Sequence, residues 1–351
     1  MYVPVHLGIL LTLGACAHET AAPSTIPIGP IAGDAVFVVN GGESSISVID
    51  AARDEVVGTI ELLGVEYPHH IYLSPDRRTL LVAVPGSDLS GGHSGGGAHG
   101  GGHGGGATGA VLSLDARTGT LQASRRLDAP NHNAIVAPDG SVWTSQIATP
   151  GQVLILDPAT LETRASVAVG DSPAEVTFSS SGSYGFVANT GSDSVSIVDP
   201  ATASVVATTP VGDAPVGAWP GADGRMYVDN EAGKSISVID PGSKAVVATF
   251  ALGFTPALAA IAPNGELWVT DTDNGKLVFL DPMTGQRRGD LVTAAGAHAF
   301  TFSADGAKAY VTNQTEGTVT VVDLATRQAV RSIAVGAKPN GIAFRQESPS
   351  M

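Results

Sequence analysis

The sequence predicts an all-β fold, a seven-bladed β-propeller of four-stranded antiparallel blades, and three observations carry that prediction. Aspartate recurs at Asp50, Asp115, Asp157, Asp199, Asp240, Asp281 and Asp323, with gaps of 65, 42, 42, 41, 41 and 42 residues. The first gap is one period plus a surplus of about 23 residues, which a Gly/His-rich stretch after Pro85 supplies. A fixed period of about 40–50 residues without helical patterning is the signature of a propeller, one blade per period. Second, each period holds four short apolar runs separated by turn residues. Third, 44 glycines and only 15% charged residues, with Val, Ile and Thr plentiful, suit short strands and tight turns. A chain of 351 residues has room for two domains, but a closed ring is one.

The chain opens on a different kind of signal. Residues 7–15 are apolar, and Leu13, Gly14, Ala15 and Cys16 then resemble the lipobox of bacterial lipoproteins. Gly14 and Ala15 are small, as cleavage requires, and the run is too short to span a bilayer. Residues 1–6 contain no Lys or Arg, a departure from the usual signal peptide. Cys16 is the only cysteine, so no disulfide forms within the chain. The resemblance implies a signal peptide over 1–15, then a lipidated Cys16 and flexible tether over 16–33. It also implies an extracytoplasmic, outer-membrane lipoprotein facing the periplasm or the cell surface.

The propeller is expected over 34–346, with a short tail at 347–351. In the repeat ending at Asp199, runs at 174–178, 184–188, 194–198 and 204–211 read as strands A to D from the axis outward. Asp followed by Pro suits the first positions of a type I turn, and this occurs at Asp157, Asp199, Asp240 and Asp281. The seven aspartates are therefore read as turn residues and not as catalytic acids. The B strands align Phe37, Trp143, Phe186, Tyr227, Trp268 and Tyr310, with Val82 in the remaining blade. Such a stripe predicts packing between blades. The first aspartate follows only two apolar runs, and the last is followed by an extra one at 341–344. That C-terminal strand is expected to complete the N-terminal blade and remove the exposed edges. A closed ring of this kind is expected to be a monomer.

These repeats resemble the YVTN family of seven-bladed propellers. The resemblance is carried by Tyr310-Val311-Thr312-Asn313, Phe186-Val187-Ala188-Asn189 and Trp268-Val269-Thr270-Asp271. It extends to the strand from Gly317 to the aspartate Asp323 and to the junction around Lys338, Pro339 and Asn340. It covers about residues 34–345 and implies the fold. It implies little about activity, because functions are grafted on such folds site by site.

Chemistry is sparse. A net charge of −15 argues against nucleic acid as a partner. There is no haem attachment motif and no nucleotide-binding loop. Gly92-His93-Ser94-Gly95-Gly96 fits a nucleophile elbow by letter only, because no strand precedes it and no helix follows. Asp271, Asp273 and Gly275 read as a hairpin turn rather than a calcium loop.

Histidine is the exception. When the blades are aligned at the entry to strand A, His69, His132 and His298 share a position with Ala174, Val216, Ala257 and Asn340. The next position holds His70, Asn133 and Glu175. Consecutive blades thus bring His298, Asn340, His69, His70, His132 and Glu175 to one side of the channel mouth. His93, His99 and His103 lie in the 86–109 insert, which joins strands B and C of the blade owning His69. Chain direction puts that insert on the same face. Imidazole is a common ligand of copper and zinc. The pattern predicts a copper or zinc site of His69, His70, His132 and His298, with the insert histidines as a second set. Asn133, Glu175 and Asn340 are expected to orient the rings from behind. Binding is expected to weaken below about pH 6, as imidazole protonates. The expected role is metal capture, delivery or sensing. The alternatives are a non-catalytic scaffold that binds a protein or glycan on the top face, and a metal-assisted lactonase-type hydrolase.

Overall fold

A computed structural model describes residues 21–90 and 108–347. Cys16, His93, His99 and His103 lie outside the described residues, as does most of the insert. Seven antiparallel sheets form the ring, each with its innermost strand at the axis. In blade 4 the strands are Pro173–Phe178, Gly185–Asn189, Ser194–Asp199 and Ser204–Pro210. We number blades by the order of the seven aspartates, so blade 1 contains Asp50 and blade 7 contains Asp323. No helix among the described residues is long and apolar enough to cross a membrane.

The aspartates do the work of turns. Each closes strand C and accepts backbone N–H bonds from residues two or three further on. Asp157 Oδ1 takes those of Ala159 at 2.8 Å and Thr160 at 2.9 Å, and Asp281 Oδ1 takes those of Met283 and Thr284 at 2.9 Å. The aromatic stripe is fully buried in all six blades that carry it. Three of its four polar tips reach other blades or turns, Trp268 Nε1 being the exception: Tyr310 OH donates to Asp54 Oδ1 of blade 1 at 2.9 Å. Trp143 Nε1 donates to Ser141 Oγ at 3.0 Å. Rings that bury their whole area between blades pack neighbouring sheets against one another.

Closure follows the expected plan. Pro339–Arg345 pairs with Ala35–Asn40, in the register Val36↔Phe344 and Val38↔Ile342. Arg345 sits behind this seam and donates to the carbonyl oxygens of Ile31 at 2.9 Å, Gly33 at 2.8 Å and Ala116. The segment expected to be a flexible tether departs from that expectation. Ser24–Ile26 pairs with Glu55–Leu63 as a fifth strand on blade 1. Ile31 is buried, and Ile28 packs where a Cβ on Gly58 would stand only 2.7 Å from its Cδ1. These apolar contacts pin the segment, and the added strand covers an edge that would otherwise be open.

In blade 2, Thr79–Val84 pairs with Ala110–Asp115, and Val84 faces Ala110 across the pair. The two ends of the insert therefore leave side by side. Asp88, at its root, forms an ion pair with Lys338 at the entry to strand A of blade 1. The insert thus springs from the face where every inner strand begins.

Candidate metal centre

The inner strands start with a local irregularity. Pairing between strands A and B shifts at Pro173/Val176, Pro215/Gly217, Pro256/Ala259 and Ala297/Phe300, always at the aligned positions. In blade 2, His69 N donates to Ala83 O at 2.9 Å, and Ala83 N donates to His70 O at 3.0 Å. Two residues thus oppose one, which is a β-bulge, and a bulge re-aims side chains that strict alternation would send to opposite faces. His69 and His70 consequently both join the axial cluster.

His132 enters from blade 3. His69 Nε2 and His132 Nε2 stand 3.2 Å apart. Ring centroids are 4.5 Å apart for His69 with His70 and with His132, and 4.9 Å for His70 with His132. One nitrogen from each of the three lies within 4.8 Å of the others. Two nitrogens on one tetrahedral ion, at Zn–N distances near 2.0–2.1 Å, are separated by roughly 3.3 Å. All three rings are buried, at 1–6% exposure. The cluster therefore has almost no contact with solvent. His298 is half-buried, with its ring centroid 6.0 Å from those of His69 and His70. It borders the triad without sharing its ligand spacing.

Glu175, from blade 4, is the hub. It is completely buried. Its Oε1 accepts from His132 Nδ1 at 3.0 Å and approaches His70 Nε2 at 3.2 Å. Its Oε2 accepts from Tyr72 OH at 2.9 Å and Asn133 Nδ2 at 2.5 Å. Asn133 is itself fixed by Val176, donating to its carbonyl at 2.8 Å and accepting its N–H at 3.1 Å. A carboxylate on His132 Nδ1 sets the tautomer that leaves Nε2 with a lone pair for an ion. Asn340 Nδ2 meets His69 Nδ1, while Asn340 Oδ1 is buried with no partner. A half-turn of that amide gives His69 Nδ1–H an acceptor and leaves its Nε2 with a lone pair in the same way.

Two carboxyl-linked aromatics lie below. Burial, and next the Glu175 charge, push the Tyr72 phenol well above its ordinary pKa. Trp219 Nε1 donates to Asp229 Oδ1 at 2.6 Å. Burial pushes the Asp229 carboxyl well up, against the lowering effect of that indole bond. Gly217 is required here, because a Cβ would meet the folded-back Trp219 ring at 2.4 Å.

The ring thus brings His69, His70, His132, Glu175, Asn133 and Asn340 together as expected from the aligned blades, and His298 next to them. The insert histidines and Cys16 lie outside the described residues. Tyr72 and the Trp219–Asp229 pair were not anticipated. Tyr72 is two residues beyond His70 on one strand, so the alternation rule would have placed it on the same side.

No protein-family model and no curated protein matches the sequence. The resemblance to the YVTN repeat therefore rests on the motif residues quoted above. Solved structures match as folds. A periplasmic gluconolactonase of Pseudomonas aeruginosa is 20% identical, with a TM-score of 0.71, over 90% of this chain and 99% of that one. A protein of unknown function from Desulfotomaculum acetoxidans is 12% identical, with a TM-score of 0.70, over 90% and 99%. A putative 6-phosphogluconolactonase of Bacteroides fragilis is 14% identical, with a TM-score of 0.66, over 89% and 98%. At these identities the likeness defines the class: a seven-bladed propeller with gluconolactonase-like structural neighbours.

Proposed function

We propose that this propeller binds one transition-metal ion, copper or zinc, through His69, His70 and His132, and serves metal capture, delivery or sensing. On this reading it is a YVTN-repeat lipoprotein held outside the cytoplasm by a lipid on Cys16. His298 borders the triad, and the insert residues His93, His99 and His103 would supply a second set of ligands. The observation that carries the proposal is the paired Nε2 atoms of His69 and His132, 3.2 Å apart, behind which Glu175 holds Nδ1 of His132. Neutral imidazoles with their second nitrogens hydrogen-bonded form a nitrogen-only donor set that suits copper and zinc over calcium or magnesium.

Burial separates this from the hydrolase reading, for which the lactonase names of two neighbours are the support. A bare ion reaches rings that are 1–6% exposed; a lactone ring needs an open wall beside the general base. The test is elemental analysis after mild chelation, dialysis and reloading with copper or zinc. About one ion per chain, lost in His69→Ala/His132→Ala, supports the proposal. No retained metal in the unmodified protein overturns it. Turnover of a lactone panel, glucono-lactone included, that disappears in His132→Ala would put the hydrolase in its place.

A further inference from the structure

The far end of the same inner strands carries a cavity of about 460 Å³. It opens on the face opposite the insert, where strands A turn into strands B. Tyr72, Phe178 and Trp219 supply aromatic walls, Ile135 and Pro138 an aliphatic one, and Ser180 a hydroxyl at the rim. No charged side chain lines it among the described residues. Its volume falls within the range of small-molecule sites, about 300–1,000 Å³. An uncharged wall of this kind repels ions, since a charge entering it would lose hydration without gaining a partner. Flat aromatic faces beside hydroxyls suit a neutral ring compound with one apolar face and a hydroxylated edge.

Tyr72 belongs to both sites. Its ring lines the cavity, and its hydroxyl bonds Glu175 Oε2 at 2.9 Å. The other oxygen of that carboxylate holds His132 and His70. Trp219 also lines the cavity and is fixed by its 2.6 Å bond to Asp229, so a ligand held there bears on Tyr72 and, through its hydroxyl, on Glu175. We propose that this lower cavity is a second binding site, for a small neutral ring compound, and that its occupancy alters metal affinity through the Tyr72–Glu175–His132 chain. The coupling rests on the metal reading given above; the cavity itself does not. Linkage makes the effect reciprocal, so metal must change ligand affinity by the same factor.

Calorimetric titration with phenyl β-D-glucopyranoside tests this, on apo and zinc-loaded protein. Phenyl phosphate serves as the charged comparison. Saturable binding of the glucoside to apo protein is expected, much weaker for phenyl phosphate and lost in Ser180→Trp, a variant at an exposed turn residue of the lining whose uncharged ring can enter the cavity. Zinc should change the glucoside affinity by about 5–10-fold, and Tyr72→Phe should reduce that change to under about 2-fold, whatever it does to either affinity alone. Absent saturation, equal binding of phenyl phosphate, or unchanged binding in Ser180→Trp overturns the site. Equal affinity with and without zinc overturns the coupling. If elemental analysis shows that zinc does not load, the metal reading and the coupling fall together, and the apo titration alone decides the cavity.

Discussion

The outer turns and the inner mouth of this ring are both repeated seven times, and they use repetition in opposite ways. At the outer turns the same residue, aspartate, does the same job in every blade: it ends strand C and caps the turn that follows. At the inner mouth the backbone irregularity repeats while the side chains diverge. Blades 2, 3 and 7 offer histidine and blade 1 asparagine, while blades 4, 5 and 6 offer Ala174, Val216 and Ala257, and at the next position blades 2, 3 and 4 offer His70, Asn133 and Glu175. Identity within a repeat therefore marks architecture, and departure from it, at a position where the departures converge in space, marks chemistry.

The sharpest way to break that comparison is to remove a member of each region and read both metal and stability. His132→Ala should cost the largest factor, more than about 100-fold in zinc or copper affinity, because it deletes a ligand rather than its support. Competition against a chromogenic chelator measures it. Next comes Glu175→Gln, expected to weaken the metal by about 10–100-fold. The substitution keeps the side chain's size but presents an amide NH₂ to at least one of four donors, so His132 loses the carboxylate that fixes its tautomer. Metal affinity unchanged in Glu175→Gln would mean that the carboxylate is structural and the ligand set lies elsewhere. Phe186→Ala gives the contrast: about 3–5 kcal/mol of stability lost by denaturant titration, with metal affinity unchanged in the protein that stays folded.

The fold was legible because periodicity is additive evidence: seven copies of a weak strand pattern make a strong one. The site was legible for a related reason. Ring closure turns equal positions in the repeat into neighbours, so His69, His132, Glu175 and Asn340 could be placed together without coordinates. Two features escaped. Both His69 and His70 were expected at the site, but the means was not: strict alternation admits only one of them to the axis, and the bulge against Ala83 that admits both has no residue signature in blade 2. The docking of Ser24–Ile26 escaped as well, since a single added edge strand has no period. Its anchors, Ile28 and Ile31, are isolated apolar residues among prolines and glycines.

The outer aspartates give the smallest effects, and these test whether repetition there is only architectural. Asp199→Ala removes the acceptor of Ala201 N at 2.8 Å. By analogy with the loss of a capping residue it should cost about 1 kcal/mol, with no change in bound metal. Acid should act on all these turns together. The Asp157 carboxyl is held down from 3.8 to about 2, first by the N–H of Thr160 and then by that of Ala159, with Arg164 adding to it. Asp281 is lowered first by the N–H groups of Met283 and Thr284, and Asp240 and Asp323 first by the hydroxyls of Ser243 and Thr326 and then by backbone N–H bonds. For a carboxyl depressed in the folded state, the charged form is the one that folding favours. Its contribution is complete above about 3.8 and disappears as pH falls through about 2. Stability should therefore decline between about pH 4 and pH 2, and an Asp157→Asn variant should show a shallower decline in that window. An identical acid slope in Asp157→Asn would mean that the turns are held by backbone geometry alone, and that aspartate recurs there for a reason other than its charge.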